Sequence, residues 1–167
     1  IDCTDGTIDG YVKEHPIWGA FYYALFNLNN ERRPHMNINT SLISNNNSYA
    51  GQTPLYIVIH NTDNTAKTAD AKAHATAQHN GNFQGYSAHV FVDDKSAYQA
   101  LPYNRGAWHV GVNYGGKLFG TVNNHNSIGI EMCMNAGYNY ETAFQNTVDV
   151  CKQLMKKSNI PALRVVQ

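Results

Sequence analysis

Three side chains in this sequence stand where chemistry could be done. His60 closes the apolar run Tyr56-Ile57-Val58-Ile59, Glu131 is the lone carboxylate in the apolar stretch from Asn126 to Met134, and His109 follows Trp108 in Ala107-Trp108-His109. A buried strand that delivers a histidine at its end, with a second strand carrying one carboxylate, suits metal-assisted hydrolysis on a small sheet. A histidine at the C-terminal edge of a buried strand faces the crevice where α/β proteins bind ligands. A buried carboxylate is either paired or held protonated to higher pH, and the second state serves general acid and base work. Bland alternatives stand beside both. His60 reads equally as a core histidine bonded to backbone, and Glu131 could form a structural salt bridge to Arg105 or Lys117.

The other histidines carry less. No HExxH occurs, and His74 and His79, five residues apart, are turned by about 140° from each other on a helix, which prevents joint ligation. Both read as ordinary surface residues. His15, His35 and His125 lie in polar, loop-like sequence, and His89 lies within a strand and reads as structural.

Composition narrows the partners. Twelve basic and twelve acidic residues among 167 cancel, which removes the electrostatic footprint of a nucleic-acid binder and favours a neutral or polar polymer. Cys3, Cys133 and Cys151 have no CxxC spacing, so neither a disulfide framework nor a zinc knuckle is indicated. No apolar run reaches the length of a membrane span, and Ile1-Asp2-Cys3-Thr4-Asp5 lacks the features of a signal peptide.

The elements that must position these residues are legible as patterns. Residues 1–50 read as an N-terminal appendage, with an amphipathic helix over Ile17 to Leu28 and an Asn-rich, turn-favouring linker from Asn37 to Gly51. Residues 51–167 read as one domain. Leu55 to His60 predicts a strand buried on both faces, and Asn64 or Thr65 could cap an Ala-rich helix that ends near Gln78 before Asn80-Gly81. Ala88 to Asp93 and Ala97 to Leu101 predict a hairpin across Asp93-Asp94-Lys95-Ser96. In Asn126 to Met134, Ile128, Ile130, Met132 and Met134 share one face of a strand, and Gly129, Glu131 and Cys133 share the other. Thr142 to Gln145 resembles a capping box, and Phe144, Val148, Cys151 and Met155 form the apolar stripe of a helix ending near Ser158. Pro161 to Val166 predicts a last strand.

Four segments together, Ile57-Val58-Ile59-His60-Asn61-Thr62, Ser87 to Asp93, Ala107-Trp108-His109-Val110-Gly111 and Asn126-Ser127-Ile128-Gly129-Ile130-Glu131, resemble the type-2 N-acetylmuramoyl-L-alanine amidases, which include phage endolysins and are related to peptidoglycan recognition proteins. The resemblance spans Leu55 to Val166. It implies an α/β fold with a mixed central β-sheet flanked by helices, one catalytic Zn2+ with His60 as its first ligand, and Glu131 as proton shuttle. It further implies that His109, Trp108, Asn126 and Asn61 bind the muropeptide. Some members carry a tyrosine where this chain has Ala88, which leaves the shuttle role to Glu131.

The implied activity is zinc-dependent hydrolysis of the amide between N-acetylmuramic acid and L-alanine in bacterial peptidoglycan, by a monomer acting outside the cell or in the wall. The alternative is a recognition module that binds peptidoglycan without cleaving it. Members of the family continue past the last strand with a His-x-Asp-like segment and then Lys-x-Cys or Lys-x-Asp, which supply two more zinc ligands and a lysine. Here Leu163 to Gln167 stands where that segment should begin. The expectation is therefore a truncated amidase that holds zinc weakly through His60 alone.

Overall fold

The computed structural model describes Phe21 and residues 23–25, 35–111 and 118–167. Among the described residues from 35 onward, eight strands and two α-helices follow in order: β1 (Ile38–Asn39), β2 (Ser48–Ala50), β3 (Tyr56–Asn61), α1 (Ala71–His79), β4 (Val90–Val92), β5 (Ala97–Gln99), β6 (Arg105–Ala107), β7 (Ser127–Met132), α2 (Tyr140–Ser158) and β8 (Val165–Val166). A 3-10 turn, Ala162–Arg164, leads into β8. Six strands form one sheet in the order β1-β5-β4-β7-β3-β8, and β2 pairs with β6 in a separate antiparallel ribbon. The β4–β5 hairpin is antiparallel, whereas β7 runs parallel to both β3 and β4. The mixed sheet flanked by helices is the expected architecture.

Alternation along the strands separates two faces. Ile57, Ile59, Val90, Val92, Ile128 and Ile130 join Phe144, Val148, Cys151 and Leu154 of α2 in the main core. Phe21 and Leu25 belong to the same core, and Phe21 meets Phe144 edge to face at 5.5 Å. The opposite face carries Val58, His60, Phe91, Gly129 and Glu131 by the same two-residue period. There the small residues Ala71 and Ala75 of α1 pack against Ala88, Phe91, Ala100 and Cys133.

Several boundaries differ from the sequence reading. Helix α1 begins at Ala71, capped by Asp70, whose side chain accepts from the Ala73 amide at 2.8 Å. Asn64 instead accepts from the Ala66 amide within a turn. The decision is made by a distant residue. Asp93, 2% exposed, accepts from the Ala71 amide at 2.8 Å and from the Lys95 and Ser96 amides at 2.7 Å, joining the start of α1 to the hairpin turn. Helix α2 likewise starts at Tyr140, ahead of the expected box, with Asn139 accepting from Thr142 N at 2.9 Å. It ends at Ser158, as its stripe predicts, with Asn159 in the left-handed conformation.

On the N-terminal side of the expected boundary at residue 50, β1 pairs with β5 and β2 with β6. The Asn-rich stretch thus contains two short strands. The helix expected over Ile17 to Leu28 lies mostly outside the described residues; Phe21 and residues 23–25 are helical. No helix among the described residues is long and apolar enough to cross a membrane.

Candidate active site

The register of β3 and β7 brings two of the candidates side by side. His60 pairs with Glu131 across the parallel ladder, so both side chains leave the same face of the sheet at adjacent strands, about 4.8 Å apart. Two residues earlier on β7 lies Gly129, and its lack of a side chain admits the third. A Cβ at Gly129 would stand 2.8 Å from Cγ and Nδ1 of His109. His109 thus lies flat against the sheet backbone, where its Nδ1 is 3.1 Å from Nε2 of His60.

Hydrogen bonding sets the protons on this pair. Ser127 O, an acceptor only, is 3.4 Å from His109 Nε2, and Ser127 Oγ, which donates to Asn123 O at 2.7 Å, is 3.2 Å from it. Nε2 of His109 therefore carries the hydrogen, Nδ1 accepts from Nε2–H of His60, and Nδ1 of His60 keeps its lone pair. Burial favours the neutral form of both rings: it lowers the pKa of His60 to about 4 and that of His109 well below the usual histidine range, with the neighbouring histidines adding to the effect on His109.

Glu131 is the opposite case. Its Oε2 is buried without a hydrogen-bond partner, and burial raises its pKa to about 8. The alternative of an ion pair to Arg105 does not hold, because the Arg105 guanidinium donates to Ser48 Oγ at 2.7 Å and to Ser48 O at 3.3 Å. Lys117 lies outside the described residues. An unpaired carboxyl group is costly to bury, and this one opens onto a cavity of about 570 Å³ whose lining includes Asn61, His74, Trp108, His109 and Asn124.

Trp108 forms an aromatic wall of that cavity and remains 43% exposed. Its backbone is clamped to Ser87 in both directions at 2.9 Å, and its ring is backed by Tyr49 at 4.7 Å. Asn61 reaches the cavity from the end of β3.

Asn126 does not line the cavity. It precedes the first residue of β7, roughly 16 Å along the strand from Glu131, and both amide atoms are engaged, Oδ1 by Asn123 N at 2.9 Å and Nδ2 by Thr121 O at 2.8 Å. The asparagine that does line it is Asn124, whose Oδ1 accepts from the amides of His109 at 3.0 Å and Val110 at 2.7 Å. The sequence patterns also give no hint of His74, Phe83 and Tyr86 in the lining as ligand-facing residues. Phe83 and Tyr86 stack at 4.7 Å, and an aromatic pair three residues apart beside Gly85 is the one signal that could have found them.

His89, read as structural, is fully buried just before β4. Its Nδ1 accepts from the Gly129 amide at 3.0 Å and its Nε2 donates to Arg105 O at 2.8 Å. Burial lowers its pKa to about 4, partly offset by the bond to Arg105. Below the unfolded value of about 6.5 the unfolded chain takes up a proton that the folded chain refuses, so stability is complete above pH 6.5 and falls toward pH 4. The expected loss from His89 alone is about 3 kcal/mol by pH 4. Imidazole NMR should show His89 neutral at pH 5; titration near 6.5 would contradict the assignment.

The zinc expected from the resemblance has a candidate ligand in His60 Nδ1. Among the described residues, however, no group of three or more His, Cys, Asp or Glu side chains could hold a metal ion. The described residues do not by themselves make a zinc site.

A parallel strand pair thus presents a histidine and a carboxylate on one face of the sheet, with a second histidine laid over a strand glycine beside them. The chain belongs to the N-acetylmuramoyl-L-alanine amidase family, whose model matches residues 50–167. It is 45% identical over 126 residues to the N-acetylmuramoyl-L-alanine amidase CwlH of Bacillus subtilis, covering 74% of this chain and 48% of that protein. It is 42% identical over 123 residues to XlyA of the same organism, covering 74% of this chain and 39% of that one. The solved catalytic domain of XlyA superposes with a TM-score of 0.66 at 41% identity, over 78% of this chain and 83% of that domain. The chain thus spans about half the length, or less, of these curated relatives.

Proposed function

We propose that this chain is the hydrolytic domain of a peptidoglycan amidase, cutting the amide between the lactyl group of N-acetylmuramic acid and L-alanine at the bacterial cell wall, outside the cell. The observation that carries this reading is the unpaired, buried Glu131 carboxyl group opening on a cleft beside the His60–His109 pair. The family membership and the names of CwlH and XlyA support the choice of bond.

The described residues account for binding and proton transfer. Glu131 takes the proton of an attacking water, the new C–O bond forms at the lactyl carbonyl, and the same proton passes to the alanine nitrogen as the C–N bond breaks. Burial raises the pKa of Glu131 to about 8, so its ionised form, the minor one at neutral pH, starts the cycle, and the proton it takes from water is held until the alanine nitrogen accepts it. The chain of donors from His60 through His109 to Ser127 fixes both rings, and Trp108 offers an apolar face suited to a sugar ring.

A binding-only module is the second reading, favoured by the lack of a metal-holding group among the described residues. Against it stands Glu131, an unpaired buried carboxyl group that a pure binder has no use for. Digestion of purified peptidoglycan by the complete gene product that carries this chain separates the two. An amidase releases the amino group of L-alanine without new reducing sugars; a binding module releases neither.

A further inference from the structure

We infer that His74 is a substrate-binding residue of this cleft, accepting a hydrogen bond at Nε2 from the peptide N–H that follows L-alanine in the stem peptide; the inference rests on the amidase reading.

His74 lies on α1 and lines the cavity that Glu131 also lines. Its ring is fixed on two sides. One face stacks on Phe91 with ring centres 5.5 Å apart and planes 21° apart, and Phe83 stands 6.4 Å away. Its Nδ1 is 3.0 Å from Asp70 O and 3.8 Å from the Cys133 thiol. A carbonyl oxygen only accepts, so in the neutral ring Nδ1 carries the hydrogen and Nε2 presents a lone pair. Nε2 has no partner among the described residues. A held ring with a free acceptor in a cleft is prepared for an N–H donor.

The distance from the reacting centre selects the donor. Phe91 pairs with Glu131 across β4 and β7, which puts it about 4.8 Å to one side, and His74 lies one ring stack above Phe91. From Glu131 to His74 is therefore about 7 Å, the span of one residue of extended chain plus one hydrogen bond. An amide cut at Glu131 with its alanine directed toward α1 brings the next N–H to His74. The glycan then runs toward Trp108, whose exposed ring suits a pyranose face. His74 acts on binding and leaves the chemical step to Glu131.

The test is binding by calorimetry to the complete gene product carrying Glu131→Gln, which prevents turnover during the titration. Three ligands are compared: N-acetylmuramyl-L-alanyl-D-isoglutamine, its depsipeptide analogue with the second N–H replaced by oxygen, and N-acetylmuramyl-L-alanine. Removing the N–H should weaken binding about 3- to 10-fold. His74→Phe, which keeps the stack on Phe91, should weaken the dipeptide ligand equally, leave the alanine ligand unchanged, and add nothing to the oxygen replacement. His74→Gln, which restores an acceptor, should retain the preference for N–H over oxygen, and His74→Leu should lose it.

Additive losses, equal weakening of all three ligands, or no effect of His74→Phe would each overturn the inference, as would failure of all three to bind. Cleavage by the wild type is scored separately. His74-dependent binding without any cleavage would overturn the hydrolase reading and leave this one standing, and cleavage without His74-dependent binding would do the reverse.

Discussion

Glu131→Gln lowers the rate of amide cleavage by about 10²- to 10⁴-fold, the usual worth of a positioned acid or base, while muropeptide binding and the fold persist. The substitution keeps the shape of the side chain and removes only its ability to take and return a proton. Stability should change little, because Oε2 of Glu131 has no hydrogen-bond partner to lose and at neutral pH the substitution exchanges one mostly neutral polar group for another. Steady-state rates on soluble muropeptide, read together with the melting temperature, check both parts. A variant that retained full activity, or one that lost activity only through unfolding, would remove Glu131 from the proton path.

The second large effect is expected at a residue with no side chain. In Gly129→Ala the new Cβ would meet the His109 ring at 2.8 Å, closer than carbon atoms approach in folded proteins. His109 has to lift from the sheet, which breaks its bonds to His60 and Ser127. A displacement of this size in a positioning group costs about 100-fold in rate, and overpacking costs about 1–3 kcal/mol in stability. Rates on muropeptide and urea unfolding measure the two separately. Wild-type values for both would show that the contact of His109 with β7 has no part in catalysis.

How far the sequence foretells this site follows from which interactions are local. The two-residue period of Ser127–Met132 is enough by itself to separate Ile128 and Ile130 from Gly129 and Glu131, and the β3–β7 register then places His60 beside Glu131. The start of α1 is not legible, because Asn64, Thr65 and Asp70 are all competent caps. The choice among them is made by Asp93, 22 residues beyond Ala71 in the chain. His74 reads as an ordinary surface residue for a related reason. Helical spacing shows that it cannot share a metal with His79, but that its ring reaches a cleft depends on Phe91 and Phe83 arriving from elsewhere in the chain.

The pair Asn124 and Asn126 shows the same limit at short range. Both lie in one asparagine-rich turn, and only its folding directs Asn124 to the His109 amide and Asn126 to Thr121 and Asn123. Tyr49, which backs Trp108 and crosses Gly106 so closely that a Cβ there would meet its ring at 2.1 Å, comes from a segment whose composition reads as a linker. Its place is fixed by the β2–β6 ribbon, a pairing of residues more than fifty positions apart.

The most direct measurement of the central claim is mass spectrometry of the products formed from a defined N-acetylmuramyl tripeptide in water enriched with oxygen-18, using the complete gene product that carries this chain. The account predicts one cut, with the heavy oxygen in the lactyl carboxylate of N-acetylmuramic acid and an unlabelled tripeptide that begins with the free amine of L-alanine. Label in a peptide carboxylate, a cut in the sugar chain, or intact substrate that binds without any cut would contradict it.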